Sequence, residues 1–296
     1  MQTMISNRYC YKPNFEVIEE QFNICKKNDP GIEEKYHMAK QLLNEGIAAI
    51  EKVDIERALE KIAEVLKNML NKGIDELEAA AFLYLGQIGV TVALKGGPED
   101  LVLNSLNSAI YKTKDYLLAL SAYNLFSIYY LTKNLPEKVM PYCKKTFEVT
   151  QSCPSSYEVK YCNAAANYNM AEAYYRKQEY KTGKEYAEKA LVEFKELLLT
   201  NEAAKTKLLL GVFLVHLEEC REGLKYLDGA LKILENVSKP EEIAFLLQYK
   251  GLAKIRMEEK AEGIEYLKKA LKIYVQLGKT DFVNFLMSQI ASYEGK

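Results

Sequence analysis

The sequence predicts an all-α fold built from about six antiparallel helix hairpins with a C-terminal capping helix. Three observations predict it. Apolar residues recur at helical spacing along nearly the whole chain, and no alternating strand pattern stands beside them. The stretches Ala171–Leu191, Gly211–Leu231 and Gly251–Leu271 align without a gap at a strict offset of 40 residues. The 296 residues are 49% hydrophobic and 27% charged, with only 7 prolines and 15 glycines, which is the composition of a packed chain and not of a disordered one.

Each element has a local reason. Residues 1–30 form an N-terminal segment with one helix, expected near 14–27. Residues 31–115 read as degenerate hairpins, with helices near 31–50, 54–72, 75–94 and 98–114. Gly96-Gly97 stops the third of these, and Pro98 opens the fourth ahead of acidic residues. From 116 to 279 the repeat is explicit, with helices near 116–133, 136–151, 156–178, 181–199, 201–218, 221–237, 240–258 and 261–277. Pro136 and Pro240 sit at first helical turns, where the missing N–H costs nothing. Ser155 with Glu158 reads as a capping box. Residues 280–296 close the array with a helix near 280–294, opened by Thr280 and Asp281. Its Phe282, Phe285, Leu286 and Ile290 are expected to cover the last hairpin. The whole is expected to be one continuous solenoid.

Small residues keep their register in the repeat. Gly183, Gly223 and Gly263 coincide, as do Tyr186, Tyr226 and Tyr266, and Ala190, Ala230 and Ala270. A glycine inside a helix costs about 1 kcal/mol, and close helix packing is the natural compensation.

The composition also bounds function. Lys+Arg number 40 against 41 Asp+Glu, so no field-driven partner such as duplex DNA or an anionic membrane is implied. No run reaches the roughly 18 apolar residues of a membrane helix, and the first residues lack a signal-peptide pattern. The cysteines, Cys10, Cys25, Cys143, Cys153, Cys162 and Cys220, form no C-x-x-C pair and read as reduced thiols of a cytoplasmic protein. No phosphate-loop, dinucleotide, nucleophile-elbow or zinc-protease motif occurs, and His37 and His216 lack partners for a catalytic triad. No catalysis, cofactor or metal is expected. About 35 residues precede the helical array, too few for a helix-turn-helix domain, so direct nucleic-acid binding is not expected.

The stretch YNMAEAYYRKQEYKTGKEYAEKAL (168–191) resembles a tetratricopeptide repeat in Ala171, Tyr174, Gly183, Ala187 and Ala190. Phe126 replaces the small residue in the unit around YNLFSIYYLTKN, and Lys254 stands where an aromatic or leucine is usual. The 40-residue step is similar to the long-helix members, which include peptide-sensing regulators of low-GC Gram-positive bacteria. The resemblance implies a right-handed superhelical solenoid that binds a peptide or protein segment on its concave face, lined by the first helix of each hairpin.

On that implication the groove residues are Tyr123, Asn124, Tyr130, Tyr168, Asn169, Glu172, Tyr175, Arg176, Leu209, Val212, His216, Tyr249, Leu252 and Arg256. Asn124 and Asn169 each follow a tyrosine, and an amide offers a donor and an acceptor to a peptide bond. They serve equally as bridges between hairpins. The tyrosines suit either a binding rim or packing. Leu209, Val212, Tyr249 and Leu252 would not face water alone, so this face meets a ligand or another part of the chain. Arg176, His216 and Arg256 fall 40 residues apart and form either a ladder of positive or titratable groups for an acidic ligand or cations favoured at helix C-termini. The expected function is a non-catalytic binding scaffold; the alternative is a peptide-responsive regulator of a protein partner. A homodimer is compatible with either.

Overall fold

The computed structural model describes residues 11–237 and 240–295, so Cys10 lies outside the described residues. These residues form fourteen helices and no strand. They are α1 (Phe15–Asn28), α2 (Ile32–Glu51), α3 (Ile55–Met69), α4 (Asp75–Ala93), α5 (Asp100–Lys112), α6 (Tyr116–Thr132), α7 (Pro136–Ser152), α8 (Tyr157–Arg176), α9 (Tyr180–Glu196), α10 (Thr200–His216), α11 (Cys220–Leu234), α12 (Pro240–Arg256), α13 (Lys260–Gln276) and α14 (Thr280–Glu294). The all-α prediction holds, and helix by helix.

Several boundaries differ by one to three residues, and two of the differences have clear local reasons. The helix expected over 54–72 ends at Met69, because Leu70 turns extended (ψ 126°) and Asn71 and Gly73 take positive φ. The capping box expected at Ser155 is replaced by a cap at Ser156, whose hydroxyl accepts the Val159 N–H at 3.2 Å. Pro154 explains the shift, since it holds Cys153 extended (ψ 152°) and delays the helix.

The described chain forms two compact units that divide between Cys162 and Asn163, within α8. In the N-terminal unit α2 packs on α3, α4 on α5 and α6 on α7, with α1 against α2 and α4. Tyr36, Leu43, Ile62, Leu77, Tyr84, Leu106 and Phe126 fill its core. Tyr11 ties down the entry to this unit: its hydroxyl donates to Asp115 Oδ2 at 2.5 Å, and its carbonyl accepts from the Tyr84 hydroxyl. Phe126, large where the repeat prefers a small residue, is accommodated by stacking on Tyr142 at 4.4 Å.

The C-terminal unit shows the repeat as geometry. A Cβ on Gly211 would lie 2.6 Å from Leu227 Cγ, and one on Gly251 would lie 2.8 Å from Leu267 Cδ2, the same contact 40 residues later. The turns between paired helices repeat as well. Gln178, Glu218 and Glu258 all take positive φ (60°, 67° and 66°), a conformation that costs a non-glycine residue about 1–2 kcal/mol. The offset comes from the following amide, which closes on the helix: Glu179 N to Tyr174 O at 3.0 Å, Glu219 N to Leu214 O at 2.9 Å and Glu259 N to Lys254 O at 3.0 Å. Lys254, unusual for the repeat, braces the last of these turns through Glu259 (2.5 Å) and Glu262 (3.0 Å).

At the end of this unit α14 packs on α13. Leu286 and Ile290 join Leu267, Ala270 and Tyr274 in one core, and Phe282 stacks on Tyr274 at 4.8 Å. Phe285, expected to cover that core, is instead 51% exposed. It falls one residue before Leu286 and so about 100° away around the helix.

Candidate functional site

In the C-terminal unit, α8, α10 and α12 are the first helices of successive hairpins, and they are buried on more than one side. In α8, Asn169 and Glu172 are as buried as Met170 and Ala171 on the facing side. In α10 every residue from Leu208 to Val215 is buried. Leu209 and Val212, expected to present apolar surface to a ligand, are therefore fully interior at 0% exposure. The reason is coverage: α10 packs on α9, α11 and α12, so apolar residues on each of its sides become core.

What these helices do bring together is an aromatic and polar cluster. The hydroxyls of Tyr175 (α8) and Tyr249 (α12) meet at 2.9 Å. His216, at the end of α10, places Nε2 3.0 Å from the Tyr249 hydroxyl. Tyr180 stacks on the His216 ring with centroids 4.0 Å apart and 6° between planes. Tyr175 also meets Phe213 and Phe245 edge-on, each at 6.3 Å. Leu252 is half-buried against the same core. Arg256 donates from Nη1 to the Val215 carbonyl. Beside the cluster, Glu172 accepts from the Tyr168 hydroxyl at 3.1 Å and from Arg176 Nη1 at 3.1 Å.

The electrostatics follow from burial. Burial, and then the neighbouring Arg256 charge, hold the His216 imidazolium form down to a pKa of about 4. A neutral imidazole can accept at Nε2 from Tyr249, whose oxygen then accepts from Tyr175. Burial pushes both tyrosine hydroxyls up, so each stays a neutral donor. Burial and the Glu172 carboxylate do the same to Tyr168. Of the three groups expected to line up, burial holds His216 toward its neutral form, Arg176 pairs with Glu172, and Arg256 donates to the Val215 carbonyl. A helix end favours a cation, but a buried ring loses more by desolvation than it gains there.

The other expected residues lie in the N-terminal unit. Tyr123 and Tyr130 pack toward α7, with ring centroids 6.4 and 5.8 Å from Tyr142. Lys145 lies 5.6 Å over Tyr123, and Lys138 lies 5.5 Å over Tyr130. Burial pushes the Tyr142 hydroxyl up to about 12. Asn124 is half-buried, and both Asn124 and Asn169 engage other groups of the chain.

Sequence reasoning missed Tyr180, because its register positions hold Cys220 and Lys260 and no periodic signal marks it. It also missed Asn163 and Asn167, which donate to the two oxygens of Glu193 in α9, the second at 3.2 Å. Glu202 and Glu242, 40 residues apart at the starts of α10 and α12, each bury a carboxylate oxygen that meets no hydrogen-bond donor among the described residues. An open cleft of about 690 Å³ lies where α10 turns into α11, lined by Glu218, Glu219, Cys220, Arg221 and Glu222 with Arg256 and Met257. The described cysteines are free thiols, three of them buried, and no cluster of metal-ligating side chains occurs among the described residues.

No family profile matches the chain, and no curated protein matches it in sequence. Solved structures do match in fold. The apo form of RapI is similar with a TM-score of 0.57 at 16% identity, over 86% of each chain. A Rap protein complexed with Competence and Sporulation Factor has a TM-score of 0.55 at 13% identity, over 96% of this chain and 81% of its own. BtubC from P. vanneervenii has a TM-score of 0.53 at 13% identity, over 84% and 92%. The chain shares the helical-repeat fold of these proteins.

Proposed function

We propose that this protein is a non-catalytic peptide-binding module that acts as a peptide-responsive regulator of a protein partner. The observation that carries the reading is the cluster on α8, α10 and α12. Burying Glu172, Arg176, His216 and tyrosine hydroxyls costs stability that an apolar filling would not. Hydroxyls, amides and a guanidinium together are the groups that pair with a peptide backbone and its carboxylates. The fold supports the reading too, since one protein that shares it is complexed with Competence and Sporulation Factor. The binding face of the C-terminal unit then uses Tyr168, Asn169, Glu172, Tyr175, Arg176, Tyr249, Leu252 and Arg256, while Tyr123, Asn124 and Tyr130 belong to a separate face of the N-terminal unit. The ligand needs no metal or cofactor, the protein works in the cytoplasm, and no described helix is long and apolar enough to cross a membrane.

A second reading is a constitutive scaffold for a segment of a larger protein, favoured by the interior position of Leu209 and Val212, which leaves little apolar surface to read a short peptide. Affinity capture with the full chain, from cytosol and from spent medium, separates the two. A short peptide that elutes in competition with a stoichiometric protein supports the regulator. A protein retained whatever peptide is added supports the scaffold. Catalytic turnover of the captured material would overturn both.

A further inference from the structure

Neighbouring packed helices lie roughly 8–10 Å apart, so in a flat layer α8 and α12, with α10 between them, would be separated by about twice that. Tyr175 and Tyr249 nevertheless touch, hydroxyl to hydroxyl, across 74 positions of sequence. Two long side chains reaching over the intervening helix are needed to span that gap. The bond is also not isolated. Tyr249 is held from its other side by His216, the last residue of the intervening helix, and His216 is held in turn by the stacked ring of Tyr180. Arg256 closes the far end by donating to Val215, next to His216. Each of the three first helices of the unit therefore contributes one group to a single hydrogen-bonded chain. The hydrophobic core beneath it does not need these hydroxyls, since phenylalanine would fill the same space.

We infer that Tyr175, Tyr249 and His216 form a latch that fixes the curvature of the C-terminal unit, and that the latch must open before a segment of chain can lie along the α8–α10–α12 face. The second half rests on the peptide-binding reading; the first does not. The Tyr249 hydroxyl is the shared partner of His216 Nε2 and the Tyr175 hydroxyl, so removing it breaks both bonds while leaving the ring in place. Removing the Tyr175 hydroxyl breaks only the α8–α12 bond. A ligand opens the latch by supplying replacement hydrogen-bond partners to Tyr175 and His216. A peptide bond carries both on its C=O and N–H.

The test uses the full-length chain, with nitroxide labels on cysteines placed at Gln178 and Glu258. Both positions are exposed, in the turns that follow α8 and α12. Cys10, Cys25 and Cys153 are replaced by serine so that the labels are placed cleanly. The free protein is expected to give one narrow label–label distance. Tyr249→Phe should broaden the distribution and move it outward by several ångströms, with far-UV circular dichroism unchanged. Tyr175→Phe should do the same to a smaller degree, and the double variant should add little to Tyr249→Phe, because the two share one bond. An unchanged distribution in both single variants would overturn the latch, whatever the protein binds. If Tyr249→Phe does not fold, Tyr175→Phe alone decides. Addition of the captured peptide to the unsubstituted, labelled chain is expected to reproduce the outward shift. Binding without a shift would overturn the release step and leave the peptide reading intact.

Discussion

Alanine at Gly263 and alanine at Gly229 are the same chemical change in two helix interiors, and the structure gives them opposite signs. Replacing glycine in a helix gains about 0.8–1.0 kcal/mol of propensity in either place. At Gly229 the new Cβ meets nothing closer than Lys207 Cδ at 3.7 Å, the flexible stem of a surface lysine, so the gain is kept. At Gly263 it would lie 2.5 Å from Ile255 Cγ1, 2.7 Å from the Gly251 carbonyl oxygen and 3.0 Å from the Ile255 amide nitrogen. Two of those atoms are backbone, so no rotamer relieves the clash and α13 must move off α12. Overpacking of this kind costs typically 1–3 kcal/mol, which cancels the propensity gain or exceeds it. The propensity term is common to both variants, so the difference between them should be about 1–3 kcal/mol. For a chain of this size each kcal/mol moves the midpoint by roughly 2–4 °C. Thermal unfolding followed by circular dichroism should therefore show Gly229→Ala above the parent and Gly263→Ala at or below it. If Gly263→Ala stabilises as much as Gly229→Ala does, the backbone-tight contact that explains the 40-residue glycine register is wrong.

Other consequences are as direct. Arg176→Ala leaves the buried Glu172 carboxylate without its cation and should cost about 3–5 kcal/mol in a denaturant titration, more than the loss of an exposed arginine could. His216 has a folded pKa lowered to about 4 against 6.5 when unfolded, so the unfolded state takes up more protons between those values. Stability should fall as pH drops from about 6.5 toward 4, and His216→Gln should flatten that part of the profile; equal slopes would show the ring to be solvated. Asn169→Ala empties a buried, engaged position and should lower the unfolding midpoint by about 1–3 kcal/mol equivalent. An unchanged midpoint with a 2- to 12-fold loss of affinity, the change expected from roughly 0.5–1.5 kcal/mol, would assign it to the ligand instead. Deleting 280–296 uncovers Leu267, Ala270 and Tyr274 and should cause aggregation on gel filtration, whereas a soluble, equally stable truncation would contradict the capping role of α14.

Helix positions were legible because periodicity, proline and glycine act locally, and because three gap-free units at one offset fix the phase. The site was less so. For Leu209 and Val212, sequence alone could not tell ligand from neighbouring chain as their cover; the structure shows that they are core. The protonation state of His216 was not legible, because the last turn of a helix favours a cation while the rings of Tyr180 and Tyr249 that bury it come from other helices. The Tyr175–Tyr249 bond carries no local signal at all, since its two residues lie 74 positions apart on helices of different hairpins. Tyr123 and Tyr130 illustrate the opposite case: a tyrosine stripe at helical spacing turned out to pack on its own hairpin partner, through Tyr142.

Amide hydrogen exchange on the full chain, with and without the captured peptide, tests the central claim most directly. If the peptide lies along the first helices, protection should appear in α8, α10 and α12 around Tyr175, His216 and Tyr249, and α9, α11 and α13 should exchange as before. Protection confined to those second helices, or to the α14 end alone, would contradict a binding face on α8, α10 and α12.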